Sequence, residues 1–168
     1  MKEVVMKNEQ LMPAIVKLLN EGHTVTLRLR GKSMRPFLED NRDIALLSMP
    51  RKPRKGEPVL AEVSPGRYVL HRIISVKGDD IVLRGDGNIG TEQCKRTDIR
   101  ASVIGFYRKG RGTLDRIDGR KWRVYSWFWT RLFPVRRYLL AFYRIVWLRL
   151  FGGKWHLHIS RSNVIRCE

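Results

Sequence analysis

Apolar side chains between residues 4 and 21 fall at Val4, Val5, Leu11, Met12, Ile15, Val16, Leu18 and Leu19. The spacing is close to the helical repeat, with Pro13 as an interruption and Asn20-Glu21-Gly22 as a stop, and it predicts an amphipathic helix. From Thr24 the repeat shortens to alternation, with Val25, Leu27 and Leu29 set against Thr26, Arg28 and Arg30. A period of two predicts a half-buried strand, here running into the loop that carries Ser33. Further strand-like runs occupy residues 43–48, 58–63, 67–76, 80–84 and 101–107, punctuated by Gly, Pro or Asp. Because Lys77-Gly78-Asp79-Asp80 joins two β-rich runs, residues 67–84 are expected to form a hairpin with His71 and Asp86 near its open end.

The pattern changes after Tyr107. Arg108-Lys109-Gly110-Arg111-Gly112 reads as a linker, and from Gly119 to Cys167 there is no acidic residue, while all five tryptophans lie in that stretch. The expected organisation is an N-terminal amphipathic helix over 1–23, a β-domain over 24–108 and a basic, aromatic extension over 109–168. A chain of 168 residues supports one such core with an appendage, not two full domains. The fold class is mainly β with flanking helices, as a β-ribbon or a partly open barrel. No apolar run approaches the roughly 20 residues of a membrane-spanning helix. The first ten residues mix charged and apolar positions unlike a secretory signal, so a cytoplasmic location is expected, with peripheral contact at the inner membrane face.

Two cysteines, Cys94 and Cys167, with no CxxC spacing, indicate neither a disulfide framework nor a zinc cluster. His156 and His158, with only Cys167 downstream, make no metal-binding pattern, so neither metal nor cofactor is expected. The formal charge of +18 points to an anionic partner.

The chemistry-bearing residues occur in the order Ser33, His71, Asp86, within Gly31-Lys32-Ser33-Met34-Arg35-Pro36, Tyr68-Val69-Leu70-His71-Arg72-Ile73-Ile74 and Arg84-Gly85-Asp86-Gly87-Asn88. A serine hydroxyl needs a base to remove its proton and a third group to orient that base. A histidine of ordinary pKa near 6.5 is largely neutral at physiological pH and can accept that proton. Taken singly, each residue is an ordinary turn or core residue. Taken together with Lys55-Gly56-Glu57-Pro58-Val59-Leu60, their order and spacing over residues 24–108 resemble the type I signal peptidases and the related peptidases of LexA-like fold. A histidine at the base position resembles the endoplasmic-reticulum and archaeal subgroup rather than the lysine-dependent bacterial one.

The resemblance implies a serine endopeptidase that removes a leader, signal or propeptide. Ser33 would be nucleophile and backbone oxyanion donor, His71 the general base and Asp86 its orienting or electrostatic support. Met34 and Pro36 would shape the substrate groove, and Gly31 stands where many bacterial members have a second, hydroxyl oxyanion donor. The chain also departs from the family in having Gly87 after Asp86 and an amphipathic rather than membrane-spanning start. Asp43 and Asp98 lie outside the matching acidic box.

Residues 121–151 interleave arginine with Trp, Phe, Tyr and aliphatic side chains, which predicts helix broken near Pro134. Tryptophan, tyrosine and snorkelling arginine suit an anionic membrane interface. Packing of these helices on the β-core, and binding of nucleic acid, are the alternatives. A non-catalytic module that holds lipid or nucleic acid through this segment is the alternative to an enzyme.

Overall fold

The computed structural model describes residues 2–6, 8–109, 111–147 and 163–167. His156 and His158, and residues 148–151 of the aromatic segment, lie outside the described residues. The strands are β1 (Lys2–Met6), β2 (Val25–Arg28), β3 (Ile44–Ser48), β4 (Pro58–Ser64), β5 (Arg67–Lys77), β6 (Asp80–Arg84), β7 (Glu92–Lys95), β8 (Ile99–Tyr107), β9 (Leu114–Arg116) and β10 (Asn163–Cys167). Among the described residues three α-helices accompany them, α1 (Asn8–Asn20), α2 (Arg120–Arg131) and α3 (Arg136–Phe142). The protein is thus mainly β with flanking helices.

Every strand pairing is antiparallel, in the order β1-β10-β2-β3-β8-β4-β5-β6-β7, with β9 added to β8 off that path. The predicted 67–84 hairpin forms as β5 and β6, in register from Arg72↔Arg84 to Lys77↔Asp80. Its turn is closed by Gly78 at φ 58°, a left-handed conformation that glycine adopts without steric cost.

β5 separates two apolar clusters because successive side chains point to opposite faces. Tyr68 and Leu70 pack on the larger one, where Leu11, Ile15 and Leu19 of α1 meet Val25, Leu27, Leu47, Val103 and Phe106. Val69 and Ile73 face the smaller one, with Val59, Ile81, Leu83, Cys94 and Ile99. The i, i+4, i+8 spacing of the three α1 residues makes the buried stripe of that helix, each contributing roughly 1.5–3 kcal/mol by burial.

Two expected boundaries differ. Lys2–Met6 is not the start of the helix but a strand paired with β10, Val4 opposite Ile165 and Val5 opposite Val164. β-branched residues favour this pairing, but its partner lies at the other end of the chain, beyond the reach of a local pattern. Nor does the chain leave the core at residue 109. The Lys109 N–H donates to Asp43 at 3.0 Å, β9 returns to pair with Gly105–Tyr107, and Trp122 of α2 is 4 % exposed inside the larger cluster. The segment read as an extension is therefore partly core. No helix among the described residues is long and apolar enough to cross a membrane.

Candidate active site

Strand β2 hands over to a loop whose shape is set by two aspartates. Gly31, at φ 96°, donates its N–H to Asp40 Oδ1 at 2.8 Å. Asp43, fully buried, accepts from the Glu39 and Lys109 N–H groups and from Arg42. Burial pushes its pKa up, but those hydrogen bonds outweigh burial and hold it below the usual carboxylate range. Within this loop Met34 is buried in the larger cluster, Arg35 pairs with Glu39 at 2.8 Å, and the Arg35–Pro36 bond is cis. Ser33 is half-buried. Its carbonyl accepts the Gly87 N–H at 2.7 Å, while its own N–H and hydroxyl have no hydrogen-bond partner among the described residues.

His71 projects from β5 on the face of Val69 and Ile73 and is 4 % exposed. Its Nδ1 lies 2.7 Å from Oε2 of Glu92, an ion-pair distance, and neither atom makes a hydrogen bond of regular geometry. The other carboxylate oxygen of Glu92 pairs with Arg67. Burial lowers the histidine pKa from 6.5, against the opposing pull of the Glu92 and Asp86 charges, so the neutral ring is favoured. With Nδ1 turned to a carboxylate, the tautomer that keeps its proton there leaves the Nε2 lone pair free.

Gly85 is where the two elements meet. A Cβ on this residue would sit 2.4 Å from the Ser33 carbonyl oxygen and 3.0 Å from His71 Nε2. The free nitrogen of the ring and the backbone of Ser33 therefore converge on one point, open only because residue 85 lacks a side chain. No hydrogen bond joins the Ser33 hydroxyl to His71 among the described residues. Such contacts are often loose before substrate arrives.

Asp86 is engaged elsewhere. Its carboxylate accepts from Arg72 Nε at 2.9 Å and Nη2 at 2.6 Å, a bidentate pair with both partners 1 % exposed, and from the Tyr125 hydroxyl at 3.0 Å. Arg72 also donates to the Gly56 carbonyl and Ser126, and its guanidinium stacks 4.5 Å from the Trp122 ring. Burial works against the Arg72 charge, but the Asp86 carboxylate outweighs it and raises the pKa. The Asp86 carbonyl accepts from Trp129 Nε1 at 3.0 Å and from Arg136 Nη2 at 2.6 Å. That carbonyl and the Gly87 N–H belong to one peptide unit, held by α2 and α3 on one side and bonded to Ser33 on the other. The acidic box thus clamps the Ser33 loop.

Ser33, His71 and the backbone of the Gly85–Gly87 box are brought together, but the carboxylate facing the histidine is Glu92, not Asp86. Asp86 acts on His71 only through its field. The Gly31 N–H is committed to Asp40, and the side chain of Met34 fills core rather than groove. Asp98 accepts the Lys95 N–H at 2.7 Å at the turn after β7, remote from this chemistry in role. Glu92 carried no motif. Its signal is positional: Leu83 of β6 pairs with both Ile73 and Glu92, so the carboxylate starts two strands from the residue next but one to His71. Cys94 is a free, buried thiol whose pKa burial pushes up to about 11, with Asp98 and Glu92 adding to the shift, which leaves it inert as a nucleophile.

Two concavities flank the site. One lies between Leu29 and Arg30, beyond β2, and Tyr68 and Leu70 of β5, with Leu11 and Leu60 in its lining. The other lies between the Gly87–Glu92 loop and Arg137 and Leu140 of α3. Compared with known proteins, the chain matches no family model and no curated sequence.

Proposed function

We propose that the protein is a serine endopeptidase of the signal-peptidase-like type that cleaves an extended peptide, such as a leader or propeptide. The observation that carries this reading is the convergence of the Ser33 backbone carbonyl and His71 Nε2 on Gly85, with a carboxylate against the other ring nitrogen. His71 Nε2 takes the Ser33 hydroxyl proton as the oxygen attacks the scissile carbonyl, and Glu92 orients the ring and stabilises the imidazolium that forms. The same proton then passes to the leaving amine, and water repeats the sequence on the acyl-enzyme. The unengaged Ser33 N–H suits an oxyanion donor.

Asp86 has a different role from the one its motif implies. It holds Arg72, Tyr125 and Arg136 and, through its peptide unit, the nucleophile loop. The groove beside Leu29 and Tyr68, lined by apolar side chains together with Arg28 and Arg30, suits a peptide in extended form. On β5, Arg72–Lys77 pair with β6 and Arg67–Arg72 with β4, so residues 67–71 have β4 as their one strand partner among the described residues. An edge left open up to His71 is where an added strand would bond.

The test is covalent labelling of the full chain with a fluorophosphonate or a peptide boronate. Labelling in the wild type, lost in Ser33→Ala and weakened at least about tenfold in His71→Ala, is the expected result. A folded wild type that takes no label from either probe overturns the reading in favour of a non-catalytic binding module.

A further inference from the structure

Among the described residues, eight of the ten large apolar side chains that stand exposed belong to one segment, Val124 to Ile145. Their placement is periodic. On α2, Trp122, Tyr125 and Trp129 face the core or the Asp86 hub, whereas Val124, Trp127 and Phe128 face outward, so this helix carries two apolar stripes and the fold uses one. On α3 and the wider turn that continues it (Tyr143–Trp147), Arg136 and Leu140 are buried. Val135, Tyr138, Leu139, Phe142 and Ile145 form the opposite, exposed stripe at spacings of three and four. Trp127 and Phe128 are each 54 % exposed and Phe142 61 %, which for large aromatics is far from a packed state.

The charge carried by this segment itself has one sign, although Asp115 lies 3.9 Å from Lys121. Arg120, Lys121, Arg123, Arg131 and Arg137 are exposed on or beside the stripe, and the Arg131 and Arg137 guanidiniums stack at 5.2 Å and 4.5 Å over Trp127 and Tyr138. No acidic residue occurs between Gly119 and Cys167 to offset them.

We infer that the outward stripe of α2 and α3 is a docking surface for an anionic bilayer, lying in the plane of the interface. Aromatics with a polar edge, aliphatics and arginine stems reach the acyl boundary while the cationic heads meet lipid phosphates. The aliphatic members, Val124, Val135, Leu139 and Ile145, favour lipid over nucleic acid, since they offer a base nothing to stack on. Because Arg137, exposed beside the stripe, also walls the cavity beside Glu92, docking would place that cavity next to the lipid surface. The inference stands apart from the peptidase reading and survives its failure.

The experiment is co-sedimentation of the full chain with phosphatidylcholine vesicles, with and without about one third phosphatidylglycerol, at low and high salt. Anionic vesicles are expected to bind the protein at least about tenfold more tightly than neutral ones, with the difference shrinking in salt. Trp127→Ser/Phe142→Ser is expected to lose most of this binding while keeping the wild-type circular dichroism and melting temperature, because both side chains touch solvent rather than core. Arg120→Gln/Arg131→Gln is expected to lose the preference for anionic lipid but retain residual binding. The inference is overturned if the wild type ignores anionic vesicles, if the folded Trp127→Ser/Phe142→Ser variant binds as the wild type does, or if these substitutions instead abolish self-association or RNA binding and leave vesicle binding intact.

Discussion

Two carboxylates stand near His71, and the structure treats them in opposite ways. Asp86 is saturated: its two carboxylate oxygens and its carbonyl take hydrogen bonds from Arg72, Tyr125, Trp129 and Arg136. Glu92 is half-buried and shared between Arg67 and His71, and its Oε2, 2.7 Å from the histidine nitrogen, makes no regular hydrogen bond. A group held by several hydrogen bonds fixes geometry, since moving it breaks them at once. A group with few and partly exposed partners can follow a change of charge on one of them. The first is an architectural centre and the second, on the proposed reading, serves the chemistry, although only the first sits in a recognisable motif.

Removing the saturated carboxylate is expected to have the largest effect. Asp86→Ala leaves the Arg72 charge buried and unpaired, which costs about 3–5 kcal/mol, and urea denaturation should show the midpoint falling accordingly. An Asp86→Ala protein as stable as the wild type would put the architectural role in doubt.

Gly85→Ala tests the meeting point itself. Its Cβ would lie 2.4 Å from the Ser33 carbonyl oxygen, so the loop must shift, and probe labelling at Ser33 should fall by about a hundredfold. Stability should drop less than in Asp86→Ala. Wild-type labelling rates would mean that the Ser33 loop is not held against the box.

Glu92→Gln sharpens the contrast from the other side. The fold should survive, while the labelling rate falls by about tenfold to a hundredfold because the ring loses its orienting charge. The pH profile gives the distinguishing sign. Glu92 pulls the His71 pKa up against burial, so its removal lowers that pKa further, and the acid limb of the profile, already below 6.5, should move to lower pH. A limb that moves upward excludes Glu92 as the histidine's partner. Linkage follows from the same ring. The folded state binds this proton less readily than the unfolded chain, so its contribution is intact above the unfolded value near 6.5 and is lost as pH falls below it. Melting curves of His71→Gln should lack that loss.

Tyr125→Phe is expected to have the smallest effect. It removes one of several hydrogen bonds to Asp86 while keeping the ring stacked on Phe37 and Trp129, so about 1 kcal/mol should be lost in denaturation with little change in labelling.

The local pattern by itself determined much of this protein. Alternation and turn residues marked β2, β3, β4, β5, β6 and β8, the spacing of Leu11, Ile15 and Leu19 marked α1, and the motifs marked Ser33, His71 and the Gly85–Gly87 box. Those features are written in short-range periodicity and in residue types with narrow uses, which one strand or turn is enough to express. Pairings between distant segments had no such signature. Lys2–Met6 reads as helix until Asn163–Cys167 lies beside it, and Leu114–Arg116 has no pattern until it meets β8. The aromatic segment was legible as helix, but α2 has two apolar stripes, and only the tertiary structure decided that Trp122 goes inward and Trp127 outward. The same holds for the two carboxylates. The sequence places Asp86 in a motif and Glu92 in none, while strand register alone carries Glu92 to the histidine, because register relates residues by hydrogen bonding across strands rather than by spacing along the chain.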